Sequence, residues 1–373
     1  MLKEIQRSEK IRLGVIGCGP ATFNAYADAI VKAAHIQLQA LSDPDPVRLA
    51  AVSDRLRPLR TYPDRDELLA DPRVDLVLIA GDHAFDATLV QEVLAAGKHV
   101  LVANSFGIPL EACERLRPFA ERKTLALDCH RRFLPGVRAT RQFLADEAGE
   151  VTSYAGYYFD NSYWHTASQP NALRAANRDC KIIDKRLQSW LAHGPQIVDM
   201  ARHLLGPISA IRATHTEVTS GQTMQLGSSG TSSGHAWGVD LRFAGGSRGQ
   251  CSILLHRAGT FEEGFELQAD GGSVTCGYPC FWFHREHTRI YSAARQLHWS
   301  PDSRDCHTYR LQLEALAQSI LTGAPEEHAG FEDGVACSKA LLAGTQSALH
   351  GGRWVDVEQQ EEDEPSPYIR AVA

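Results

Sequence analysis

The feature that most constrains this chain is a short apolar run, Ile11–Ile16, that stops on Gly17-Cys18-Gly19 and gives way to a helix-like stretch. Glycines at 17 and 19 permit a tight turn and let an anion approach the backbone at a helix N-terminus, where free amides and the helix dipole favour negative charge. Four more apolar runs follow, at Ile36–Ser42, 76–80, 99–103 and 125–128, most of them trailed by helical periodicity. That alternation predicts an α/β domain, a parallel sheet doubly wound with helices on both faces. Its clearest helix start is Asp45-Pro46, because Asp45 can cap the free amides and Pro46 suits the first turn. Another helix is expected over 109–121, kinked or ended early by Pro118.

Past about residue 150 the texture changes to β-rich segments broken by Gly and Ser. Strands at 151–158, 211–218, 236–243, 249–256 and 264–269 predict an α+β domain with one open, mostly antiparallel sheet. The polar stretch 219–234 reads as a loop, and helices return over Thr308–Thr322 and 333–350. A chain of 373 residues exceeds one ordinary core. The expected division is a dinucleotide-binding Rossmann domain over 1–130, an α+β domain over 131–360, and an acidic tail over 361–373, with fraying expected over 358–367.

Lys and Arg total 38 against 45 for Asp and Glu, with no dense basic run, which argues against a nucleic-acid partner. No apolar run approaches the roughly 18 residues that span a bilayer, and residues 1–10 are too polar for a signal peptide. A cytoplasmic protein without membrane contact is expected. The nine cysteines lack paired spacing and suit reduced thiols. Cys276, Cys280, His284 and His287 fall close together, but zinc sites show tighter cysteine spacing, so no metal is predicted.

Gly17, Gly19, Pro20, Ala21 and Thr22 are the candidate pyrophosphate turn, although Thr22 stands where the fingerprint normally has Gly or Ala. Asp43 closes the second apolar run, where an acid would meet the adenine ribose hydroxyls; a plain turn residue in Ser42-Asp43-Pro44 fits as well. An acid there repels a 2'-phosphate, so NAD is expected over NADP.

Taken with Gly97-Lys98-His99-Val100-Leu101, His130-Arg131-Arg132-Phe133 before Pro135, and the stretches 194–206 and 334–355, residues 14–22 resemble the Gfo/Idh/MocA (glucose-fructose oxidoreductase/inositol dehydrogenase) family. The resemblance spans nearly the whole chain. It implies a Rossmann domain followed by an open-sheet domain, hydride transfer with NAD(P) on hydroxyls of sugars, aminosugars or cyclitols, and a homo-dimer or homo-tetramer. The chemistry departs from that pattern. Where the family has Glu-Lys-Pro this chain has Ala103-Asn104-Ser105, and in Asp-x-Gly-x-His-x-x-Asp the first Asp is Ala192 and the His is Gln196, with only Gly194 and Asp199 kept.

A positioned acid or base typically contributes about 100- to 10,000-fold, and an amide cannot supply it. Asn104 and Gln196 can orient a ligand without titrating. His83, Asn104 and His130 each follow a strand and should gather on the ligand rim. His193, three residues before Gln196, is the first choice for a substitute relay. Tyr163, Trp164, His165 and Arg174, in the loop 161–185, together with Asp199, are the candidate substrate contacts. Besides hydride transfer on a polyhydroxylated ring, three readings stay open: reduction of a cyclic imine, redox-neutral chemistry with a held NAD, and a silent relative that binds a ligand or regulates a partner.

Overall fold

The computed structural model describes residues 10–19, 22–80, 86–103, 110–160, 180–182, 185–220, 232–255, 262–278, 286–302, 307–323, 328–359 and 369–371. Six strands, β1 (Ile11–Ile16), β2 (Ile36–Ser42), β3 (Arg60–Tyr62), β4 (Leu76–Ile79), β5 (His99–Val102) and β6 (Leu125–Leu127), form a parallel sheet in the order β3-β2-β1-β4-β5-β6. β4 is buried at every residue, as a central strand covered on both faces must be. The order reverses between β1 and β4, the point outside whose carboxyl ends ligands of such sheets bind.

Helix α1 (Ala27–Lys32) follows the glycine turn through a π-helical stretch, Thr22–Tyr26. α2 (Pro46–Leu56) begins as its sequence predicts, with the Asp45 carboxylate accepting from Val47 N and Arg48 N and Pro46 in the first turn. α3 (Arg65–Ala70), α4 (Ala87–Ala95) and α5 (Leu110–Ala120) complete this half. Pro118 sits in the last turn of α5, so the helix ends two residues beyond it.

Nine strands make the second sheet: β7 (Val151–Asp160), β9 (Ile208–Ser220), β10 (Ser232–Phe243), β11 (Arg248–Leu255), β12 (Glu262–Ala269), β13 (Gly272–Gly277), β14 (His287–Ser292), β15 (Leu297–Trp299) and β16 (Val355–Asp356), in the order β15-β14-β13-β12-β7-β11-β10-β9-β16. Every neighbour pair is antiparallel except β7 with β11. The expected open, mostly antiparallel sheet is present. α6 (Pro135–Asp146), α7 (Lys185–Leu205) and α9 (Phe331–Leu349) pack on it, with Trp190 of α7 fully buried and its indole N–H on Leu341 O.

α8 (Thr308–Thr322) returns to the first sheet. Tyr309, Leu313, Leu316 and Ala317 join the core of β1, β4 and α1, so the core that begins at residue 11 closes only near residue 317. Leu313 and Leu316 are fully buried, each contributing about 1.5–3 kcal/mol. Gln312 adds a bond from Nε2 to Leu127 O, which ties α8 to the end of β6.

Two expectations need correction. The hairpin strands run to Ser220 and resume at Ser232, so part of the polar stretch 219–234 is ladder, its Ser and Thr residues paired through the backbone. The expected loop 161–185 contains β8 (Cys180–Ile182) and the first residue of α7. The acidic stretch 358–367 lies mostly outside the described residues; beyond it, β17 (Ile369–Ala371) pairs antiparallel with β8. Among the described residues no helix is long and apolar enough to cross a membrane.

Candidate active site

The glycine turn is braced from below. Gly17 has φ +95°, a left-handed geometry that favours glycine, and its N–H bonds Ser42 O. Thr22, at the irregular fingerprint position, is fully buried and donates to Gly17 O at 2.5 Å; it stabilises the turn rather than filling it. Pro20 and Ala21 lie outside the described residues.

Asp43 differs from expectation. It is 3% exposed, with Oδ2 accepting from Cys18 N at 2.7 Å and Oδ1 from Asp45 N at 2.8 Å and Arg48 Nη2 at 2.9 Å. Burial alone would raise its pKa, but the Arg48 bond and the two amides bring it below the usual carboxylate range. A carboxylate so placed holds the turn in shape and presents little surface to a ribose. Arg48 and Asp45, 41% and 42% exposed, are the side chains of this cluster that reach solvent.

Where the two domains meet, the turn after β6 supplies two arginines. The Arg132 guanidinium pairs Nε with Asp199 Oδ2 at 3.0 Å and Nη2 with Asp199 Oδ1 at 2.5 Å, and it also reaches Asp333 at 3.2 Å. Asp199 thus places both oxygens on a brace between α7 and the Rossmann exit. Arg131 donates to Gln196 Oε1 and pairs with Glu263 of β12. Burial alone would lower the Arg131 pKa, but Glu263 keeps it firmly charged.

His193 is buried in α7, its ring centroid 5.1 Å from that of Tyr158, whose hydroxyl lies 3.5 Å from Asp160 Oδ2. His130 is also buried, with Nδ1 3.6 Å from Asp128 Oδ1 and its ring edge-on to Tyr309 at 4.0 Å. Asp128, Arg131, Gln196 and Asp199 line one cavity of about 30 Å³.

Comparison with known proteins gives this geometry a frame. Residues 11–129 match the oxidoreductase family with an NAD-binding Rossmann fold, Gfo/Idh/MocA. The Rossmann domain is a Gfo/Idh/MocA domain. The chain is 34% identical over 112 residues to a 1-carboxy-3-chloro-3,4-dihydroxycyclohexa-1,5-diene dehydrogenase of Comamonas testosteroni, covering 30% of this chain and 28% of that one. It is 30% identical over 109 residues to an inositol 2-dehydrogenase of Acidothermus cellulolyticus, covering 28% and 31%. These matches span about a third of each relative's length. Solved structures agree in fold over far more. An oxidoreductase of Agrobacterium radiobacter bound to NAD+, L-tartaric acid and magnesium gives TM-score 0.73 at 17% identity over 94% of this chain and 100% of that one. A levoglucosan dehydrogenase bound to NADH and levoglucosan gives 0.71 at 19% identity, with the same coverage.

Gln196, expected from the sequence at the histidine position of the resemblance, lies beyond the matched residues 11–129. The structure brings His193, Gln196, Arg131, Tyr158 and Glu263 to the junction of α7, β7 and β12, with Asp128 and His130 alongside on the Rossmann rim. His83, Asn104, Tyr163, Trp164, His165 and Arg174 lie outside the described residues. Sequence reasoning passed over Arg131, Asp128 and Glu263. Arg131 stood inside a matching motif, and Asp128 was read only as a strand end. Glu263 carried no signal, because an acid in Glu262-Glu263 looks like a solvent-facing strand residue.

Proposed function

We propose that this chain is an NAD(H)-dependent oxidoreductase that moves a hydride to or from a hydroxyl-bearing carbon of a small polyhydroxylated ring, a sugar, aminosugar or cyclitol. One observation carries the reading: a left-handed Gly17 turn, held open by buried Asp43 and Thr22, lies at the point where the strand order reverses. Such a turn offers amides to a diphosphate. The residues present therefore fit a dinucleotide. Asp43 and Asp45 set two carboxylates against the one guanidinium of Arg48, and NAD is proposed over NADP on that balance.

Bound NAD(H) supplies the hydride donor or acceptor. The protein's part is orientation and charge. Arg131 holds the Gln196 oxygen, so the Gln196 NH2 is the end available to a substrate oxygen. The Arg131–Glu263 pair keeps that arrangement rigid between β12 and the Rossmann exit, where the flanking Tyr158 and Tyr278 are pushed to high pKa by burial and remain neutral donors. The relatives' names point to ring substrates, a dihydroxylated cyclohexadiene and an inositol among them. The same reading carries a cytoplasmic location and a homo-dimer or homo-tetramer.

Calorimetry with NADH and NADPH, followed by NADH oxidation with panels of keto-sugars, inososes and cyclic imines, tests this. Binding of NADH and turnover of a cyclic ketone are expected. Absence of affinity for either dinucleotide would overturn the reading, and turnover of imines alone would replace its substrate class.

A further inference from the structure

Hydride transfer at an alcohol carbon also moves a proton, and Gln196 cannot carry one. A largely buried acid, Asp128, lines the same cavity. Asp128 follows β6 and donates its N–H to Val102 O at 2.9 Å, which places it at the carboxyl end of the first sheet, the rim that receives ligands in this architecture. Its carboxyl, 11% exposed, faces the Tyr26 hydroxyl, itself 1% exposed, and its Oδ1 lies 3.6 Å from His130 Nδ1. The cavity that Asp128 shares with Arg131, Gln196 and Asp199 measures about 30 Å³, enough for a water, which needs roughly 10–15 Å³ and two to four polar partners.

We propose that Asp128 exchanges the proton of the reacting hydroxyl through this cavity, replacing from the end of β6 the acid–base group that position 196 has lost. The proposal rests on the hydride-transfer reading. In the oxidative direction the substrate O–H and C–H bonds break and a C=O bond forms. The hydride leaves for NAD+, and the proton passes by way of water to the Asp128 carboxylate; reduction is the reverse. Around the carboxyl stand Tyr26, Cys129, His130, Arg131 and Tyr309, with Asp199 and Asp333 across the cavity. Burial pushes its pKa up to about 7, against the opposing pull of Tyr26, Arg131 and the His130 amide, which suits an acid–base group at neutral pH. His193, the rival relay, packs instead against Tyr158 on the second sheet.

Two measurements on the full chain need no knowledge of the substrate. Infrared difference titration of wild type against Asp128→Asn reads the protonated carboxyl directly, with and without NAD+. Calorimetry of NAD+ binding near pH 7, in buffers of different ionisation enthalpy, reads proton release. NAD+ is expected to lower the Asp128 titration by about one pH unit, a tenfold change in proton affinity, and to release protons in wild type and Asp128→Glu but not in Asp128→Asn. NADH, which lacks the positive ring, should release none. Release that persists in Asp128→Asn, or that disappears in His193→Asn, overturns the assignment. If wild type binds neither dinucleotide, the isotherm alone shows that hydride transfer has failed, and the proposal falls with it.

Discussion

Arg131 donates to the side-chain oxygen of Gln196, and because a guanidinium only donates, the orientation of that amide is decided by the protein before any ligand arrives. The guanidinium is itself held by Glu263, with side chains 14% and 5% exposed. Removing one partner of a buried pair leaves an uncompensated charge. Glu263→Ala is therefore expected to cost about 3–5 kcal/mol in urea unfolding, whereas Arg131→Met combined with Glu263→Leu recovers most of it. A double variant no more stable than Glu263→Ala alone would show that the pair does not act as a unit.

Asp128 gives stability a pH dependence of unusual sign. Its folded pKa of about 7 lies above the ordinary carboxylate value of 3.8, so the protonated form is favoured by folding. Its contribution is fully present below about pH 4 and is lost as pH rises through 7, a change on the order of 4 kcal/mol. Asp128→Asn cannot ionise. Thermal or urea unfolding between pH 5 and 9 should show wild type losing stability toward high pH relative to the variant, with Asp128→Asn the more stable protein above pH 8. Parallel pH profiles for the two would sink this.

What could be read from the residues alone follows from the range of the forces involved. Local signals did well: the Gly17 turn, the Asp45 cap with Pro46, and the alternating apolar runs act within a few residues, and each stands where its pattern predicts. Short strands such as β3 and β15 have too few residues to show a period, and β17 is stabilised by a partner almost two hundred positions away. The site was legible by position more than by role. Asp199 and Asp43 fall where acids were expected, yet their oxygens are spent on Arg132, Arg48 and backbone amides, pairings that span up to 67 residues and leave no periodic trace. The Asp128 environment depends on Tyr26 and Tyr309, one from each end of the chain, and no sequence window contains both.

Arg48 offers a separate test of the cofactor end. Among the described residues its guanidinium pairs with both Asp43 and Asp45, and it is exposed enough for salt and water to screen it. Arg48→Ala should weaken NADPH binding more than NADH binding, by about fivefold in the ratio of dissociation constants, because roughly 1 kcal/mol of attraction for a 2'-phosphate is lost. Titrating both reduced dinucleotides by fluorescence measures the ratio directly. An unchanged ratio would mean that Arg48 does not face the adenosine.

Asp199 separates a brace from a binding group. Its side chain is 11% exposed and chelates Arg132, which keeps a second partner in Asp333 at 3.2 Å. Asp199→Ala thus removes the stronger of two supports, and a loss of about 3 kcal/mol is expected, softened by Asp333. Asp199→Asn retains one acceptor oxygen and should lose less. If Asp199 is only a brace, NADH affinity stays near wild type in both variants, and turnover falls no faster than the folded fraction. A variant that is fully folded by urea titration yet has KM for its ring substrate raised tenfold or more would return Asp199 to the substrate, and Arg132 would then have to hold the domains together through Asp333 alone.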